Sequence, residues 1–174
     1  MVFLPNMLTL FNLIFGVISL MYAFENEVIL AAVFILLAGV MDVLDGKVAR
    51  KLNVSSDFGK ELDSLADLVS FGVAPAFLVF VLFRTSPISQ LQSFMIVASG
   101  LIFIMSGAYR LARFNVLNIS EFFVGVPITM AGGIVGLAVL AWPGASGWFY
   151  VTTLLVLSGL MISKISVPKL FRFR

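Results

Sequence analysis

Six apolar stretches, each near the ~20 residues that an α-helix needs to cross a bilayer, dominate this chain. They run roughly over Pro5–Phe24, Glu27–Leu52, Ser56–Phe83, Gln90–Phe114, Val124–Trp142 and Trp148–Val167. Polar or turn-forming breaks separate them at Glu25–Glu27, Arg84–Pro87, Asn115–Glu121 and Pro143–Gly147. The second, third and fourth stretches are longer than spanning requires, and their extra turns carry charges. These helices are therefore expected to continue past the hydrocarbon into water on one side. Gly72 and Pro75 fall inside the third stretch and predict a kink, tolerable where neighbouring helices re-satisfy the backbone. Gly132, Gly133, Gly136 and Ala138 on the fifth stretch are small-residue packing positions, suited to intramolecular contacts or to a dimer.

Composition strengthens this picture. The 174 residues are 61% hydrophobic and 11% charged, against about 25% charged in soluble domains. Mean hydropathy is +1.12. The expected fold is an all-α polytopic membrane protein with six transmembrane helices, forming a single domain over residues 1–174. Cysteine is absent, which excludes disulfides, thiolate metal sites and cysteine nucleophiles; histidine is absent too, so a general base has to be a carboxylate, lysine or tyrosine. The apolar run from Met7 to Phe24 is long for a signal peptide, and no Lys or Arg precedes Lys47, so it reads as a retained first span.

Charge placement gives the expected orientation. With the N-terminus inside, Lys47, Arg50, Lys51, Lys60, Arg110, Arg113, Lys164, Lys169, Arg172 and Arg174 all fall on the inner side, and only Arg84 stays outside beside Glu25 and Glu27. That asymmetry follows the positive-inside rule and predicts both termini in the cytoplasm, in a multi-pass protein of the cell membrane. Asn53-Val-Ser55 and Asn118-Ile-Ser120 match the glycosylation pattern but lie on this inner side, so they read as accidental.

Four aspartates change the question from topology to chemistry. They are spaced Asp42-x-x-Asp45-Gly46-x-x-Ala49-Arg50, then eight residues, then Gly59-x-x-x-Asp63-x-x-x-Asp67. At 100° per residue Asp42, Asp45, Gly46 and Ala49 share one stripe of a helix, with Arg50 on its edge. Gly59, Asp63 and Asp67 stack on the next. A short turn at Lys51–Ser55 joins the two antiparallel helices, with Ser56 as a plausible N-cap and Asp57 in the first turn. The carboxylates are expected to converge, with bare backbone beside them. A carboxylate near a bilayer costs about 2.5–3.5 kcal/mol, so four together need compensation. Oxygen-only ligands suit Mg²⁺, Mn²⁺ or Ca²⁺, and two divalent cations would bring the site near neutrality. A diphosphate would then sit over the metals, with Arg50 as a guanidinium fork on its oxygens. The plainer alternative is that these carboxylates solvate helix ends, paired with Lys47, Lys51 and Lys60.

The pattern D-x-x-D-G-x-x-A-R-x(8)-G-x-x-x-D-x-x-x-D resembles the signature of the CDP-alcohol phosphotransferase family, with every fixed position matched. Glu61–Pro75, Tyr109–Asn115 and Phe123–Pro127 are similar to the phosphatidylserine synthase branch. The resemblance implies metal-dependent transfer of a phosphatidyl group from CDP-diacylglycerol to the hydroxyl of L-serine, with release of CMP. It implies that Asp42, Asp45, Asp63 and Asp67 hold two Mg²⁺ or Mn²⁺ ions, with Asp67 also the base for the incoming hydroxyl. Gly46, Ala49 and Arg50 would contact the CDP moiety, and Gly59 would permit close approach of the third helix. Pro5-Asn6-x-x-Thr9 resembles a family element near the nucleotide, although a proline and two polar residues also suit an ordinary helix start. The family is similar to known homodimers.

Acceptor binding draws on Arg110 and Arg113, at the inner end of the fourth stretch with Asn115 just beyond. Either arginine offers a cation for a carboxylate, and Glu61 an acceptor for an ammonium. Both could instead anchor the helix against anionic headgroups. The competing functions are a family member with another acceptor, glycerol 3-phosphate or inositol phosphate, and a divalent-cation transporter. Transport sites usually lie near the bilayer midplane, whereas these aspartates sit toward one end.

Overall fold

A computed structural model of the chain describes residues 3–52, 56–117, 123–163 and 166–167. Among these the architecture is helical apart from one two-residue antiparallel pairing, β1 (Phe123–Val124) with β2 (Ser166–Val167). The helices are α1 (Phe3–Phe24), α2 (Val28–Leu52), α3 (Asp57–Asp67), α4 (Ala74–Arg84), α5 (Gln90–Leu117), α6 (Ile128–Ala141) and α7 (Gly147–Ile162). A π-helical turn, Leu68–Val73, joins α3 to α4, so the three segments form one continuous rod.

Four helices are long and apolar enough to cross a membrane: Pro5–Phe24, Val28–Leu52, Asp57–Arg84 and Gln90–Val116. Their bounds agree closely with the first four apolar stretches. The last two helices are shorter than those stretches, with 14 residues in α6 and 16 in α7. At 1.5 Å per residue they are about 21 and 24 Å long, against a hydrocarbon core of about 30 Å. The shortening has a local cause. Gly125 adopts φ +81° and Pro127 holds ψ 143° at the N-cap, so α6 begins four residues after Val124. Lipid-facing character is plain on α1 and α5, which expose Phe11, Ile14, Met21, Phe94, Leu101 and Met105. These apolar helices make a multi-pass membrane protein.

The irregularity expected from Gly72 and Pro75 takes the form of the π turn. Ala74 N–H donates to Val69 O, one residue further back than in an α-helix, and Pro75 then opens the next α segment, where its missing N–H does least harm. Two other helices come close here. Gly132 of α6 lies so near Phe71 that a Cβ there would sit 2.6 Å from Phe71 Cα. Phe71 and Ile128 are buried in the core that α2, the rod and α6 share with Ile35, Val135 and Val139. The rod, crossed by α1 and α6 at this turn, thereby fixes the height of Asp67, the residue just before it.

The reversal between α1 and α2 matches the expected break: Asn26 takes φ 64°, a left-handed conformation asparagine tolerates. The Lys51–Ser55 turn, both glycosylation-like triplets and the basic residues Lys164, Lys169, Arg172 and Arg174 fall wholly or partly outside the described residues.

Candidate active site

The end of α2, the start of α3 and the start of α1 meet at one end of the bundle, and each brings polar residues for a local reason. Ser56 caps α3, its Oγ accepting from Gly59 N–H at 3.0 Å, and Asp57 follows in the first turn, as the spacing predicts. This start sets Gly59, Asp63 and Asp67 on one stripe. Gly59 faces α1, where a Cβ would lie 3.2 Å from Asn6 Oδ1 and 3.1 Å from Ser56 Oγ. A side chain here would press on both of these polar groups, so glycine favours the close approach of α1 and α3.

Three of the four aspartates share one locus. Asp42, Asp63 and Asp67 each offer a carboxylate oxygen, and these oxygens all lie within 4.8 Å of one another. Like charges at that separation repel by about 3.5 kcal/mol per pair at an effective dielectric of 20. Among the described residues no lysine or arginine pairs with these three at ion-pair distance, and Arg110 faces Asp67 only from further off. The one ion pair among the described residues is Lys60–Asp57 at 3.3 Å, outside the group. The alternative in which lysines pair with the cluster and merely solvate helix ends therefore fails. Asp63 Oδ1 is buried without a hydrogen-bond partner. Oxygen donors alone, three converging carboxylates and an orphaned buried oxygen fit a hard divalent cation.

Asp45 stands apart from that group. Its Oδ2 accepts from Thr9 Oγ1 at 3.0 Å, and Thr9 also lies 3.1 Å from Pro5 O. With Asp63 it lines a cavity of about 150 Å³ whose other walls are Pro5, Asn6, Thr9, Gly46, Ala49, Ser56, Gly59 and Lys60. The expected convergence of four is thus three at one point, with Asp45 next door and Asp63 common to both. A Cβ at Gly46 would meet only Arg50 Nη2, at 3.9 Å, so this glycine leaves space rather than helix contact. Arg50 itself is exposed, with its guanidinium over the Gly46 face of α2.

On the α5 side, Arg110 is half-buried, its Nε is buried with no partner, and it lies within electrostatic reach of Asp67 and Arg113. Asn115 Nδ2 donates to Ser64 Oγ at 3.0 Å and to Glu61 Oε1 at 3.2 Å, tying the end of α5 to α3. Sequence reasoning missed two residues that touch Asp67. Asn12 Nδ2 donates to Asp67 Oδ1 at 3.0 Å, and Thr129 Oγ1 donates to Asp67 Oδ2 at 3.5 Å. A signal for Asn12 existed: Asn6, Thr9 and Asn12 recur every three residues in an otherwise apolar span. Thr129 offered none.

A metal-competent acidic cluster at the end of apolar helices, beside an open cavity, is the candidate site. The chain belongs to the CDP-alcohol phosphatidyltransferase family, whose model matches residues 2–162. Curated relatives named CDP-diacylglycerol–serine O-phosphatidyltransferase come from several organisms. The Methanocaldococcus jannaschii protein is 38% identical over 169 residues, covering 95% of this chain and 74% of that one. The Bacillus subtilis protein is 37% identical, covering 95% and 90%. The Helicobacter pylori protein is 34% identical, covering 94% and 71%. Membership in a transferase family sets aside the transporter alternative.

Proposed function

We propose that this protein transfers a phosphatidyl group from CDP-diacylglycerol to the hydroxyl of L-serine, giving phosphatidylserine and CMP. The observation that carries the chemistry is the trio Asp42, Asp63 and Asp67, whose carboxylate oxygens lie within 4.8 Å of one another with no ion pair to a described lysine or arginine, next to an open cavity. The names of the relatives support the donor and the acceptor.

In this reading a phosphoester bond replaces a phosphoanhydride bond. The serine oxygen forms a bond to the phosphorus that carries diacylglycerol, the bond from that phosphorus to CMP breaks, and the hydroxyl proton passes to the Asp67 carboxylate. Asp42, Asp45, Asp63 and Asp67 would hold two Mg²⁺ or Mn²⁺ ions, which supply charge stabilisation to the diphosphate when bound. Asn6, Thr9, Gly46, Ala49 and Gly59 form the walls that accept the CDP moiety, with Arg50 reaching its phosphates. Arg110 and Arg113 receive the acceptor's carboxylate from the α5 side, and the unpartnered Arg110 Nε supports this. The chain forms a single domain of six spans, with the site at the cytoplasmic face and the acyl chains between helices in the bilayer. Gly133 has no neighbour within 4 Å of a would-be Cβ, so it is free for contact with a second copy, and a homodimer is compatible with this site.

CMP release from CDP-diacylglycerol, with and without L-serine, in Mn²⁺ or Mg²⁺, tests this function. Serine-dependent release is expected. Release driven instead by glycerol 3-phosphate or inositol phosphate would keep the family chemistry and replace the acceptor.

Two substitutions separate the subsites. Gly46→Leu should fill cavity space that the bound nucleotide would need. It is expected to raise KM for CDP-diacylglycerol about tenfold or more, with the thermal midpoint unchanged because nothing in the fold occupies that space. An unaltered donor KM would move the nucleotide out of this cavity. Arg110→Ala and Arg113→Ala should raise KM for serine more than KM for the donor, and steady-state kinetics at saturating donor read this directly. An unchanged serine KM in both variants would remove the acceptor assignment.

A further inference from the structure

We propose that Asn12, acting with Thr129, is a positioning residue that holds the Asp67 carboxylate in one orientation; this rests on the role given to Asp67 above. Asn12 lies in the middle of α1 and is fully buried. Its side-chain amide donates to Asp67 Oδ1 at 3.0 Å, while Thr129 approaches the other oxygen from α6 at 3.5 Å. Each oxygen of Asp67 thus faces a polar side chain from a different helix, with Asn12 the closer of the two.

The amide is itself held from behind. Asn12 main-chain O accepts from Ser70 Oγ at 3.0 Å, within the π turn. One turn along α1, Gly16 packs so tightly on Ser70 that a Cβ would lie 2.8 Å from Ser70 Cα. Side chain and main chain of Asn12 therefore clasp the rod on both sides of the α3-to-π junction, and α1 cannot slide without moving Asp67. Both donors are neutral. They fix the carboxylate but leave its charge for cations and for a proton, which a lysine or arginine at either position would not.

The fold alone does not call for an asparagine here. Asn12 Oδ1 is buried with no hydrogen-bond partner, an arrangement that destabilises the native state. Leucine has the same branched outline, suits an apolar helix, and would remove that orphaned oxygen. A residue that breaks the local rule while touching the reactive carboxylate is best explained by function.

Asn12→Leu in the full-length protein decides the matter. Supporting groups behind a metal-binding carboxylate typically contribute about 10–100-fold to metal affinity or rate. The expected result is a loss of that order in Mn²⁺ affinity, read by electron paramagnetic resonance without substrate, and in kcat. The KM for each substrate should stay within about threefold of wild type on the same grounds. The variant should still unfold in one cooperative thermal transition in EDTA. Thr129→Val should show a smaller loss of the same kind. Wild-type kcat and Mn²⁺ affinity in Asn12→Leu would overturn the proposal. If the leucine variant does not fold, Asn12→Ser must show the same loss, because its hydroxyl is too short to reach Asp67. Failure of the wild-type protein to release CMP would overturn the proposed function, while the Mn²⁺ measurement would still judge Asn12.

Discussion

Asp67→Asn is expected to lower kcat for CMP release by about 1,000-fold or more, within the range that a positioned proton acceptor contributes, while CDP-diacylglycerol binding changes by no more than a few-fold. Asparagine has the same shape, and its surroundings accommodate it. Its Oδ1 takes the place of the oxygen that accepts from Asn12, and its amide faces the Thr129 hydroxyl, which can accept as well as donate. The negative charge, with its share in holding the cations, and the proton acceptor are lost. Phosphoryl transfer through a loose transition state needs proton removal late, so Asp67 contributes by position as much as by basicity. Single-turnover CMP release together with equilibrium donor binding checks this. Equal loss in both measurements would make Asp67 chiefly a metal ligand.

Chelation is expected to have an effect of similar size. EDTA should reduce CMP release to background, and Mn²⁺ or Mg²⁺ should restore it, because several kcal/mol of charge stabilisation, about 1,000-fold in rate, leaves with the cations. Stability carries an independent sign. Without cations, Asp42, Asp63 and Asp67 repel one another across 4.8 Å or less. Mn²⁺ should therefore raise the thermal midpoint, by the equivalent of about 2.7 kcal/mol at a hundred times its dissociation constant. Asp63→Ala removes a carboxylate whose Oδ1 has no partner, so in EDTA this variant should be at least as stable as the wild type. It should also lose the Mn²⁺-dependent shift and the activity. Full activity in EDTA with no Mn²⁺ shift would exclude the metal site.

Helix geometry explains why so much of the site is legible in the chain. A fixed 100° per residue turns the spacing of Asp42, Asp45 and Gly46, or of Gly59, Asp63 and Asp67, directly into a shared face, and the Ser56 cap sets where the second face begins. The same regularity exposes the four long spans as runs of apolar residues. The lengths of α6 and α7 were less visible, because composition counts Val124 and Val126 as apolar whereas backbone conformation at Gly125 and Pro127 decides where a helix can start.

The chain by itself determined the membrane class, the two acidic stripes, the family signature and the small residues beside them, all of which are properties of one helix or of composition. Tertiary packing alone decided that three aspartates meet while Asp45 turns to Thr9, that Gly46 opens onto a cavity while Gly132 is pressed against Phe71, and that Asn12 and Thr129 reach Asp67. The reason is physical: periodicity fixes where a side chain points from its own helix axis. What it meets depends on the distance and rotation of helices far away in sequence, here set by glycine contacts and a π turn.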